Sequence, residues 1–188
     1  PRYVQITLEQ DLLGGWTLYR ESGTQGGRAT MKREQFLERE AAIAAFERAA
    51  TDDTPTAPAA LYALGVVHTQ QGDAQQAARA YARLDRRYPD SAENANVGLA
   101  LAEAYLRTGQ RDEAAREIEH HLPQLVGDDA VRAVLLLGET RLQLGDAEGA
   151  RAVLLDIPAD SPYRQRAALA YGRAAFAQED WDQAIRAL

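Results

Sequence analysis

One pattern recurs four times in the later part of this 188-residue chain, at spacings of 34 to 37 residues, and it limits the fold more than any other feature. Gly72, Gly109 and Gly145 fall 37 and 36 residues apart, and Gly138 precedes Gly172 by 34. The first segment carries Leu61, Leu64, Gly65, Gly72, Ala77, Tyr81 and Pro89. The second carries Leu101, Ala102, Tyr105, Gly109, Ala114 and Ile118. Leu137, Gly138, Gly145, Ala150, Leu154 and Pro162 mark the third, and Tyr171, Gly172, Trp181, Ala184 and Leu188 the fourth. From Pro58 onward alanine, leucine, arginine and glutamine dominate without strand-like alternation, which favours helix. A period near 34 with a turn glycine inside each unit predicts two helices per unit. A single pair cannot bury both of its faces, so successive pairs must stack to make a core.

The recurring residue types suit that arrangement. Gly65, Ala102, Gly138 and Gly172 are small enough to let the first helix of each pair approach its neighbour closely, and Ala77, Ala114, Ala150 and Ala184 do the same for the second. Gly72, Gly109 and Gly145 suit the left-handed backbone between the two helices. Tyr81, Ile118, Leu154 and Leu188 are the large knobs, while Pro89 and Pro162 are placed to stop the second helix. On these positions residues 58–188 resemble the tetratricopeptide repeat (TPR) family. The phrase RRYPDS (Arg86 to Ser91) is similar to repeats of bacterial cell-envelope scaffold proteins.

The resemblance implies a protein or peptide partner held along the first helices, in a concave groove. Its register assigns that groove to Tyr62, Val66, Thr69, Asn96, Leu99, Glu103, Leu106, Arg107, Arg132, Leu135, Glu139, Leu142, Arg166, Leu169, Arg173 and Phe176. The family's carboxylate clamp for chaperone tails is not expected, because Tyr62 and Val66 stand where it would begin. A leucine stripe flanked by arginines suits an amphipathic helix or an extended segment carrying some acids. The same leucines could instead pack between repeats, and sequence alone leaves both roles open.

The first 50 residues read differently. Val4, Ile6 and Leu8 alternate with Tyr3, Gln5 and Thr7, and alternation resumes from Trp16 to Arg20 after Gly14 and Gly15, which predicts a hairpin. Gly23, Gly26 and Gly27 predict a second turn, a short third strand is expected over Arg28 to Met31, and Phe36 to Ala50 has helical spacing through Ile43, Phe46 and Ala50. The run RYVQITLEQDLLGGWTLYRESGTQGG, followed by Phe36 and the helix AAIAAFERA, resembles the WGR domain of poly(ADP-ribose) polymerases and bacterial proteins. Trp16, Arg20, Gly23 and Gly26 match its places, whereas Ser22 and Thr24 replace the motif's tryptophan and arginine. Trp16, Arg20, Arg28, Lys32 and Arg33 form the candidate nucleic-acid patch, as cations beside stacking aromatics.

Chemistry is absent from the motifs. With no cysteine there is no thiolate site. The glycine-rich runs lack the lysine of a phosphate-binding loop and the spacing of a dinucleotide fold, and no hydrolase nucleophile motif occurs. His120 and His121 are adjacent and share no helix face, so they are read as structural near Pro123; His68 is read as packed within its helix. Asp52–Asp53 and Asp128–Asp129 are read as helix caps. No metal, cofactor or enzyme activity is expected. Residues 1–50 balance seven basic against seven acidic side chains, so the net charge of −7 belongs to the helical part and offers no general attraction to nucleic acid. No apolar run is long enough to span a bilayer. The segment lacks a signal-like start and ends inside a repeat, which reads as a fragment of a cytoplasmic protein, or of a periplasmic one if an export signal lies upstream.

The expected fold is therefore mainly α: a TPR-type α-solenoid of about four helix pairs over 58–188, the last one truncated, preceded by a linker over 51–57 and a small β/α WGR-like module over 1–50. The expected function is a non-enzymatic scaffold or adaptor. The alternatives are a nucleic-acid-associated protein that uses the WGR-like module, and a cell-envelope assembly factor.

Overall fold

A computed structural model describes residues 2–10, 16–24, 29–36, 39–51, 55–91, 93–94 and 97–187. Three strands come first: β1 (Arg2–Gln10), β2 (Trp16–Thr24) and β3 (Ala29–Phe36). The helices α1 (Arg39–Thr51), α2 (Ala57–Gln71), α3 (Ala74–Arg87), α4 (Val97–Arg107), α5 (Arg111–His121), α6 (Gly127–Gln143), α7 (Ala147–Leu154), α8 (Arg164–Ala177) and α9 (Trp181–Arg186) follow. The chain forms two compact units, Pro1–Val97 and Gly98–Leu188.

In the first unit the strands make an antiparallel sheet in the order β1-β2-β3. Leu8 stands opposite Leu18, and Trp16 opposite both Gln10 and Phe36. The third strand is longer than the alternation suggested: it runs to Phe36, and the helix begins at Arg39. Pairing explains the difference, because β2 extends from Trp16 to Thr24 and offers backbone partners along that length. The turn glycines Gly14, Gly15, Gly26 and Gly27, and residues 52–54 of the expected linker, lie outside the described residues. Helix α1 buries Ala42, Ala45, Phe46 and Ala50 and packs against β2, β3 and α2. Arg83 on α3 donates from Nη2 to the Ala50 carbonyl at 2.8 Å, so the end of α1 is tied to the first helix pair.

The pairs are punctuated as the glycines require. Gly72, Gly109 and Gly145 adopt φ of 77°, 82° and 84°, a conformation that costs an L-residue about 1–2 kcal/mol. Asp73, Asp146 and Asp180 then cap the second helix of their pairs by accepting the backbone N–H of Gln76, Gly149 and Gln183. The fourth turn departs from the pattern, since Glu179 holds the left-handed position at φ 60°. Glu179→Gly should therefore raise stability by about 1 kcal/mol, read as a higher urea midpoint with an unchanged slope. A lower midpoint would mean that the Glu179 side chain outweighs the strain.

Small residues meet large ones across the first and third pairs at a separation of 16 residues. A Cβ built on Gly65 would lie 2.2 Å from the Tyr81 ring, and one on Gly138 would lie 2.6 Å from Leu154. Ala102 and Ile118 are the equivalent pair in the second repeat and are both buried. Leu188, the fourth knob, lies outside the described residues. In the second unit Ala102, Ala114, Ile118, Ala133 and Leu137 form one cluster, and Leu135, Leu154, Ile157, Ala167 and Ala170 form another. Pro89 does follow the end of α3, but α7 ends at Leu154, well before Pro162. Asp128 and Asp129 lie in the first turn of α6 rather than at its cap, which is Val126; there they complement the positive end of the helix dipole. His121 is buried, and a Cβ on Gly98 would stand 2.2 Å from its ring, so Gly98 is the small residue that lets α4 meet α5 there.

Candidate partner-binding face

Helices α4, α6 and α8 are the first helices of the second, third and fourth repeats. One row of positions follows the small residue directly: Val66, Glu103, Glu139 and Arg173. Another row lies six residues before it and includes Arg132 and Arg166. In the second unit these rows meet. Arg132 on α6 donates to Glu103 on α4. Arg166 on α8 grips Glu139 on α6 with two bonds of 2.6 Å, from Nε and Nη2, the fork geometry that a guanidinium and a carboxylate share. The Glu139 carboxylate holds the Arg166 guanidinium above its ordinary pKa, mainly through these hydrogen bonds. Both pairs are partly exposed, where such contacts contribute at most about 1 kcal/mol. Their effect is to neutralise a face that the sequence presents as a row of arginines.

A pocket of about 370 Å³ opens between α6 and α8, lined by Glu139, Leu142, Gln143, Arg166, Leu169, Ala170 and Arg173. A second, about 300 Å³, continues along α8 over Leu169, Gly172, Arg173, Phe176 and Ala184. Leu169 is 42% exposed and Phe176 62%. The Phe176 ring meets Trp181 edge-on, with centroids 4.9 Å apart. The opposite side of α8 is engaged elsewhere. Arg151 on α7 donates to the Tyr171 hydroxyl at 3.2 Å and to Gln178 at 2.7 Å, and pairs with Asp180 at 3.1 Å. The Tyr171 hydrogen bond is the main cause of its raised pKa.

Half of the residues that the sequence assigned to the groove are gathered here. Glu103, Arg132, Glu139, Leu142, Arg166, Leu169, Arg173 and Phe176 share this face or line its pockets. Leu99 and Leu106 are half-buried against the α4–α6 cluster, and Arg107 is exposed at the end of α4. Leu135 is a correction: it is 3% exposed and packs with Leu154, Ile157, Ala167 and Ala170. Helical periodicity reaches both sides of that position, and the neighbouring pair closes over it. Tyr62 and Val66 are half-buried on α2 in the first unit, Tyr62 tilted against Tyr81 at 6.0 Å. Asn96 lies outside the described residues. Gln143 and Ala170 line the pocket without having been singled out in the sequence; their signal is only their place beside Leu142 and Leu169.

Of the candidate nucleic-acid residues, Arg20, Lys32 and Arg33 lie along the paired strands β2 and β3. The register sets Arg20 opposite Lys32 and Tyr19 opposite Arg33, so adjacent Lys32 and Arg33 fall on opposite faces of the sheet. The Arg33 guanidinium lies 6.0 Å from the Tyr19 ring centre. Trp16 stands at the end of β2, four positions from Arg20, and Arg28 is outside the described residues. Among the described residues no helix is long and apolar enough to cross a membrane.

The repeat is shared with known proteins. The model of the tetratricopeptide repeat matches residues 35–92 and 99–165, so the chain belongs to the tetratricopeptide repeat family, whose fold is that of a protein-interaction scaffold. Among solved structures it is similar to the crystal structure of MamA, at 18% identity and a TM-score of 0.66, covering 79% of this chain and 83% of that one. It is also similar to YrrB, described as a TPR protein with an unusual peptide-binding site, at 16% identity and a TM-score of 0.67 over 79% and 73% of the two chains. A tetratricopeptide repeat protein of Parabacteroides merdae is similar at 19% identity and a TM-score of 0.63, over 79% of this chain and 57% of that one. These likenesses are of fold. None of the curated protein sequences matches the chain. The family model begins at residue 35 and takes in α1, so the WGR resemblance rests on the sequence alone.

Proposed function

We propose that this protein is a non-enzymatic scaffold or adaptor that binds a segment of a partner protein along the α4, α6 and α8 face. The observation that carries this reading is the pocket between α6 and α8. It combines exposed Leu169 and half-buried Leu142 with charged groups already held in place by the Arg166–Glu139 fork. Preset charges and an apolar floor are what a groove needs to seat a chain segment with little reorganisation. A peptide-binding site in a protein of the same fold agrees with it. In this reading β1–β3 and α1 are a degenerate WGR-like module whose helix has merged with the repeat array. The packing of α1 on both the sheet and α2 supports that view.

The test is site-specific photo-crosslinking in cells that express the chain. A photoreactive residue at Leu169 should yield discrete protein adducts, and one at exposed Ala152 on α7 should not. Equal labelling from both positions, or none from Leu169, would remove this face as the binding site.

A further inference from the structure

The two ion pairs follow a rule, and the fourth repeat breaks it. In the second and third repeats the residue after the small position is an acid, Glu103 or Glu139, and each is taken by the arginine of the next repeat, Arg132 or Arg166. In the fourth repeat that position is Arg173. The charge is reversed where the ladder would place its next carboxylate, and Arg173 makes no ion pair among the described residues. It is exposed on α8 and borders both pockets, beside Leu169 and Phe176. A chain with net charge −7 thus presents, among its described residues, a cation without an ion pair beside exposed Leu169 and Phe176, while the arginines before it in the ladder are paired.

We propose that Arg173 is a specificity residue: it selects partner segments in which an aspartate or glutamate stands beside a bulky apolar side chain. The partner's carboxylate takes the place of the missing acid of the ladder and pairs with the Arg173 guanidinium. The adjacent apolar side chain enters the pocket over Leu169, Gly172 and Phe176. The two contacts support each other, because an apolar group seated against Phe176 excludes water from the neighbouring ion pair and strengthens it. A basic segment is rejected by the Arg173 charge, which has no ion pair among the described residues. An uncharged apolar segment could fill the pocket but would leave the guanidinium partly desolvated and without a partner. This inference rests on the proposed binding face and adds the chemistry of its occupant.

The experiment is selection of a phage-displayed random peptide library on the intact chain, followed by anisotropy titrations of the enriched peptides. The expected result is enrichment of sequences with an acid next to leucine, phenylalanine or tryptophan. Arg173→Glu should weaken them by about tenfold or more, as should replacing the peptide's acid by its amide. Arg79→Glu, on the exposed face of α3, should leave binding unchanged. Phe176→Ser reports on the face independently of charge. Peptides that depend on Phe176 but not on Arg173, or that carry no acid, would overturn the charge rule and leave the binding face standing. Peptides insensitive to both substitutions, or no enrichment at all, would overturn both readings.

Discussion

Leu135→Glu is expected to unfold the unit Gly98–Leu188 rather than to disarm a binding face. The side chain is 3% exposed and clusters with Leu154 at the end of α7, Ile157 just beyond it, and Ala167 and Ala170 on α8. Removing a buried leucine side chain costs about 2–5 kcal/mol. Placing an acid there without a partner adds about 1–3 kcal/mol even if it is protonated. Against a total stability of about 5–15 kcal/mol for a domain, that is enough to lose the cooperative transition. Circular dichroism during urea titration would read it directly, with Leu169→Ser as the control on the exposed side of the next first helix. Leu169→Ser should shift the midpoint little. An intact, native-like transition in Leu135→Glu would mean that this helix face is open after all.

Gly65→Ala should destabilise the first unit, and Tyr81→Ile should rescue it. The added Cβ would sit 2.2 Å from Tyr81 Cε1 and 2.5 Å from two further ring atoms. A ring cannot bend away as the end of a leucine can, so α2 and α3 must separate, at about 1–3 kcal/mol. The second repeat already contains the compensated version, Ala102 facing Ile118. In the double variant the coupling energy should therefore be favourable, by about 1 kcal/mol or more. Thermal melts of the four members of the cycle decide it. Additive losses would show that the two positions do not constrain each other, and the small-to-large pairing would then carry no packing information.

The repeat was readable in sequence because its physics is local. A left-handed turn glycine and an alternation of small and large positions each act within a helix pair. Gly72, Gly109 and Gly145 accordingly carry the positive φ that their place demands. The fourth turn shows the limit of such reading: Glu179 occupies the same conformation with no residue-type signal at all. The strands were also legible by alternation, but their lengths were not, because β3 runs as far as its partner β2 offers hydrogen bonds.

The proposed binding face was legible only in outline. Glu103, Arg132, Glu139 and Arg166 could be assigned to it by counting, yet their pairing needed the packing of α4, α6 and α8 to bring residues 29 and 27 positions apart into contact. That same packing separated Leu135 from Leu169, two residues in the same place of the repeat, one now in the core and the other open. The amino-acid pattern by itself determined the family, the helix pairs and the rows of positions that could bind. Tertiary structure alone decided which members of those rows are neutralised, which are buried and which remain exposed. Burial and charge compensation depend on what the neighbouring repeat places opposite a residue, and that is a property of the stack rather than of any one segment.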